Sequence, residues 1–194
     1  MLASITPLGE RGRRSRWGIT TAAYIMGAVA GGAAVGALAG LLGSLALGGA
    51  DIHVRLALVV AALGIGLAWE LARGRVPGPR RQVNERWLDS YRGWVYGLGF
   101  GAQLGAGVTT VVVASAVYVV LVTTFASASA GTGVAIGASA GLLRGATVLL
   151  GARIATPERL VSFHERMRAL ERPVRSAALV AQLVLAGLAA LLIA

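Results

Sequence analysis

The chain contains no cysteine, which excludes disulfides, thiolate metal sites and thiol redox chemistry within it and leaves the redox compartment undetermined. Charge is scarce as well: 13% of residues are charged, against about 25% in ordinary soluble domains. The two histidines, His53 and His164, fall on opposite sides of the topology derived below, so no histidine-based metal centre can be assembled. There is no P-loop and no nucleophile–base–orienter set. These absences predict a protein that is not an enzyme and that carries no cofactor and no metal.

What is present is apolar surface and glycine. Hydrophobic residues make up 56% of the 194-residue chain. The mean hydropathy is +0.74. Glycines recur at four-residue spacing at Gly27 and Gly31; at Gly32, Gly36 and Gly40; at Gly97, Gly101 and Gly105; and at Gly133, Gly137, Gly141 and Gly145. In water each would weaken its helix by roughly 0.8–1 kcal/mol relative to alanine. In lipid, small residues one turn apart let backbones approach where no hydrophobic effect drives association. The ladders predict a compact bundle of membrane helices.

A crossing needs about 20 mostly apolar residues, and five segments fit: residues 18–47, 55–71, 93–125, 133–154 and 177–193. The third is too long for one simple crossing and predicts tilt, a kink at its glycines or a re-entrant piece, giving six spans if it is broken. The fold class expected is therefore all-α, a polytopic helical bundle of five or six spans. It forms one membrane domain over residues 1–194, made of a hairpin (1–73), a second hairpin (74–154) and a last unit (155–194). The two hairpins repeat one plan of basic lead-in, long glycine-rich span, short turn and second span.

The net charge of +10 does not imply nucleic acid, because no basic face with interleaved aromatics exists. The arginines instead fill alternate gaps: Arg11, Arg13, Arg14 and Arg16; Arg73, Arg75, Arg80, Arg81, Arg86 and Arg92; then Arg153, Arg159, Arg166, Arg168, Arg172 and Arg175. The opposite turns hold little beyond Arg55. The positive-inside rule then predicts a cytoplasmic N-terminus and an extracytoplasmic C-terminus. Arginine-heavy usage points to a high-GC, bacterial source and hence an inner membrane. The first apolar run far exceeds a signal-peptide core and predicts a retained helix.

Two cytoplasmic loops read as short helices. Val83, Trp87 and Tyr91 recur every four residues, and Thr156-Pro157-Glu158 opens a stripe of Leu160, Phe163, Met167 and Leu170. Either can lie in the membrane interface or pack beneath the bundle. Trp17, Trp87, Tyr91 and Trp94 fit an interfacial aromatic belt.

Ionisable residues inside spans default to functional hypotheses. Arg144 stands nine residues before Arg153, roughly 13 Å from the cytoplasmic end. It either serves a site or snorkels to the headgroups. Glu70 lies nearer that surface, as a partner for Arg144 or as a solvated acid beside Arg73. Gln103 falls at the depth of Arg144, in a glycine-rich stretch (Gly97–Gly107) that could unwind to line a cavity or pack closely against another helix. On the outer side, Asp51, His53 and Arg55 cluster at a turn. The intramembrane threonines, Thr109, Thr110, Thr123 and Thr124, are expected to bond back to their own helix.

The glycine-rich third segment over residues 93–113, opening after a basic loop, resembles small bacterial membrane proteins of the DsbD/CcdA-like and sulfite-exporter-like (LysE-type) groups. The resemblance implies a small transport bundle. Those groups have six or more spans, and their thiol-transfer members need cysteines beside prolines. Here cysteine is absent and no proline falls within a predicted span, so electron transfer does not carry over and no family site residue maps onto the chain. The expected role is a small transporter with Arg144, Gln103 and Glu70 as substrate-binding residues for an anionic or proton-coupled solute. Expected partners are the lipid bilayer and a second copy or a larger membrane protein. A non-transporting accessory subunit, packing its ladders on a larger complex, is the alternative, and a lipid-surface scaffold is a third.

Overall fold

In the computed structural model the residues described are 5–73, 87–107 and 115–191, without the side chain of Asp89. All elements among them are helical: α1 (Pro7–Gly12), α2 (Trp17–Leu47), α3 (Ile52–Arg73), α4 (Trp87–Ser90), α5 (Gly93–Ala106), α6 (Ala116–Ala126), α7 (Ala130–Ala146), a 3-10 turn (Thr147–Gly151) and α8 (Pro157–Leu191). Four stretches are long and apolar enough to cross a membrane: Trp17–Leu47, Ile52–Arg73, Ala130–Gly151 and Pro157–Leu191. The outside is correspondingly oily, with Leu45 77% exposed, Leu143 72% and Leu191 75%. Water does not sustain an apolar surface of that extent on a monomer, whereas lipid solvates it.

The α2 helix is the hub, and its glycines explain why. Gly27 and Gly31 lie against the backbone of Leu98 and Ala102 on α5, while Gly32 and Gly36 lie against Gly137 and Gly133 on α7. The two series differ by one residue, about 100° of helix rotation, so they face two neighbours. Residue numbers rise together along α2 and α5 and in opposition along α2 and α7; the first pair is parallel and the second antiparallel. Ala28, fully buried, is touched by Gly105 from one side and by Gly141 and Gly145 from the other. Gly40 and Gly43 continue the contact, to Ser129 and to the Phe125 backbone at the end of α6.

The other helices form a looser layer, in which α3 packs on α6 and on α8. Very little of α3 and α8 is buried: Leu63 and Glu70 on α3, and Gln182 on α8. At the arginine-rich end, Ile5, Tyr24, Tyr96, Phe100 and Val148 form a core, with Trp17, Trp87 and Leu104 packed against it.

The loop helix expected from Thr156 and the last span are one continuous 35-residue helix, α8, with Pro173 inside it. Proline removes one helical hydrogen bond, but the carbonyl it frees, on Ala169, is exposed and can be solvated. Of the other expected loop helix the described residues show α4, Trp87–Ser90; Val83 lies outside them. Trp87 does not simply sit in an aromatic belt. Its ring stacks on Phe100 at 6.0 Å, over the space Gly99 leaves open.

Candidate functional site

The third apolar segment is not one crossing helix. The α5 helix ends at Ala106, with Gly107 as its cap in a positive-φ conformation (φ 74°), and α6 begins at Ala116 after Ser115. Two helix ends therefore lie within the chain's most apolar region. A helix C-terminus carries about half a negative charge and an N-terminus about half a positive one, with carbonyls or N–H groups left over.

Each end meets a side chain of opposite sign from another helix. Arg144 of α7 reaches the end of α5, where Nη1 donates to the Leu104 carbonyl at 3.3 Å. The same nitrogen lies so close to Gly107 that an added Cβ there would stand 2.6 Å away. Glu70 of α3 meets the start of α6, where Ser115 Oγ stands 2.5 Å from its Oε2. Ser115 Oγ is also 2.9 Å from the Gln182 side-chain oxygen. One hydroxyl proton cannot serve two acceptors. With the Gln182 amide turned over, Nε2, otherwise without a partner among the described residues, donates to Ser115, and Ser115 donates to Glu70. Arg175 Nη2 adds a bond to the Glu70 backbone carbonyl at 3.3 Å. Glu70, Ser115 and Gln182 are all buried, so this is a closed polar network joining α3, α6 and α8.

Arg144 and Glu70 make no ion pair with each other; the break in the helix gives each its own task. Beside Arg144 lies a cavity of about 230 Å³, lined by Gly32 and Val35 of α2, the end of α5, one face of α6, and Ala140 and Leu143 of α7. Among the described lining residues Arg144 and Thr124 have polar side chains, and the Thr124 hydroxyl is spent on its own helix, donating to the Val120 carbonyl at 2.6 Å. That back-bond is the one the sequence suggested for the intramembrane threonines; Thr109 and Thr110 lie outside the described residues. Gln103 is half-buried on α5 and is not among the lining residues. Of the three residues singled out from sequence, Arg144 alone lines the cavity.

A second charged cluster went unnoticed in the sequence. The short α1 helix tucks under the bundle, with Leu8 N–H bonded to the Ile154 carbonyl. It buries Glu10 completely. Tyr96 Oη donates to this carboxylate at 2.6 and 2.7 Å, Thr20 Oγ1 at 2.8 Å and Arg13 Nη2 at 2.8 Å. Burial alone would lower the Arg13 pKa, but hydrogen bonds with Glu10 and Tyr96 outweigh it and hold the guanidinium above its ordinary value. All partners are donors, the set a carboxylate takes. The cluster ties α1, α2 and α5 together at the arginine-rich end.

The outer-turn group has structural work. Asp51 Oδ1 accepts from the His53 backbone N–H at the start of α3, and Arg55 Nη2 donates to the Leu47 and Gly48 carbonyls that end α2. Among the described residues no three His, Asp or Glu side chains gather as metal ligands. Compared with protein families, with curated proteins and with solved structures, the chain finds no match.

Proposed function

We propose that this protein is a multi-pass, transporter-like membrane protein that binds a small anionic solute at the helix break between α5 and α6. One observation carries the reading: Arg144 lines the cavity at the break and, among the described residues, spends one of its five N–H donors, on the Leu104 carbonyl. Charged side chains are expensive at such depth and mark solute paths by default. Discontinuous helices with their ends at a central cavity are a recurrent way to build transporter sites. On this reading α5 and α6 together form a third crossing, giving five in all. The arginine-rich end is cytoplasmic and the membrane is a bacterial inner membrane. Contacts of glycine with backbone, glycine on glycine toward α7, let α2 slide against α5 and α7.

A second reading is favoured by α8. This helix packs on α3 alone among the helices with substantial contacts, and Val180, Leu183, Val184 and Leu188 on it are 53–58% exposed. An accessory subunit would cover that face with a larger membrane partner, and a homo-oligomer would cover it with a second copy.

Solute flux in proteoliposomes tests the first reading. Wild type carries anions, Arg144→Ala loses flux at least tenfold, and Gln103→Ala, outside the cavity wall, retains it. Absence of anion flux in wild type, or flux indifferent to Arg144→Ala, contradicts it. A stoichiometric membrane partner retained in mild detergent supports the second reading.

A further inference from the structure

We propose that the Arg144 cavity selects a monocarboxylate with a compact apolar body, of the size of benzoate or a branched six-carbon acid. The inference rests on the anion-binding reading above and specifies its ligand class.

The charge count comes first. Among the described lining residues Arg144 is the one with a charged side chain. Its Nη1 donates to the Leu104 carbonyl at the negative end of α5. The local balance is thus less than one full positive charge. A monoanion is matched by it, whereas a dianion such as sulfate or phosphate would keep an uncompensated charge against an apolar wall.

Shape comes second. A planar guanidinium offers its remaining N–H donors as a fork that fits the two oxygens of a carboxylate. Beyond that fork the described lining presents Gly32, Val35, Ala116, Val117, Leu121 and Ala140, with no free hydrogen-bonding side chain among the described residues. A hydroxylated or amino-bearing solute would lose its hydration there without replacement. A hydrocarbon body loses nothing.

Size comes third. An apolar cavity of about 150 Å³ holds one benzene. The volume here is about 230 Å³, which leaves room for a ring or a short branched chain together with the carboxylate.

The test is equilibrium binding to the full chain in phosphatidylcholine nanodiscs, with sodium benzoate, sodium sulfate and neutral benzamide as probes. Benzoate is expected to bind saturably. Sulfate should not compete, and benzamide should bind at least tenfold more weakly. Arg144→Ala should weaken benzoate at least tenfold, and Arg144→Lys, which keeps the charge but loses the fork, should fall between the two. Since Arg144→Ala also strips the end of α5, and a loss of folding would mimic the loss of the site, Ala140→Leu provides a second variant. It fills the cavity while keeping the guanidinium and should abolish benzoate binding. Sulfate binding as tight as benzoate would overturn the monocarboxylate assignment while leaving an anion site at Arg144. Benzamide binding as tight as benzoate would remove the role of charge. Benzoate binding unchanged in Ala140→Leu would place the ligand elsewhere. No binding of either anion by a folded chain would overturn the anion-binding reading itself.

Discussion

Substituting glycine by alanine should have opposite signs at a ladder position and at one outside the ladders. At Gly137 an added Cβ lands inside the envelope of the Gly32 carbonyl oxygen, 2.9 Å from the Gly32 carbonyl carbon and 3.0 Å from Gly36 Cα. All three are backbone atoms, so no rotamer change relieves the contact and the helices must part. A separation of about 1 Å forfeits a quarter to a half of the dispersion energy of the atoms in contact. Overpacking of this kind costs about 1–3 kcal/mol, and the gain in helix propensity returns about 1 kcal/mol. Gly137→Ala should therefore destabilise by up to about 2 kcal/mol. At Gly64 on α3 an added Cβ meets nothing within 4 Å, so the propensity gain of about 1 kcal/mol stands alone. Reversible unfolding in mixed micelles, read by helical circular dichroism, measures both. Equal effects of the same sign would refute the claim that the ladder is a backbone-to-backbone contact.

Three further substitutions probe the polar networks. Tyr96→Phe removes the hydroxyl that donates to the buried Glu10 carboxylate and should cost about 1.5–3 kcal/mol in the same unfolding assay; the loss should shrink in an Arg13→Ala/Glu10→Gln background, where no carboxylate is left to satisfy. Ser115→Ala should cost about 1–3 kcal/mol by leaving Glu70 and Gln182 without their bridge, with a smaller effect once Glu70→Gln lets the two amides pair. Arg14 closes α1 in the left-handed region, at φ 54°, so Arg14→Gly should stabilise by roughly 1 kcal/mol in thermal unfolding.

The helices of the hub were legible because their signals are long and periodic. Two glycine series offset by one residue on α2 correspond to two neighbours, and the residues 97–107 stretch marked the place where the third segment stops. The networks were hidden because each contributes a single polar residue per helix. Ser115 stands inside a run of valines and alanines, and Gln182 is a lone amide in the last span; neither has a local pattern to announce a partner 45 or 67 residues away. Glu10 was masked by the arginines around it, although Thr6-Pro7 repeats the cap-and-proline start recognised at Thr156-Pro157. A helix of six residues is too short for periodicity to register. Pro173 lies within α8, so the helix runs on through it into the last span.

The central claim is that the break between α5 and α6 opens a water-reachable cavity governed by Arg144. A chain without cysteine permits a direct measurement of it. Single cysteines at Ala140, in the cavity wall, and at Leu142, 48% exposed on the outside of α7, are to be treated with membrane-impermeant thiol reagents of either charge. The account predicts that Ala140→Cys reacts, that it reacts faster with the anionic reagent than with the cationic one, and that benzoate protects it, while Leu142→Cys stays inert in lipid. An Ala140→Cys as inert as Leu142→Cys, or one that favours the cationic reagent, would contradict it.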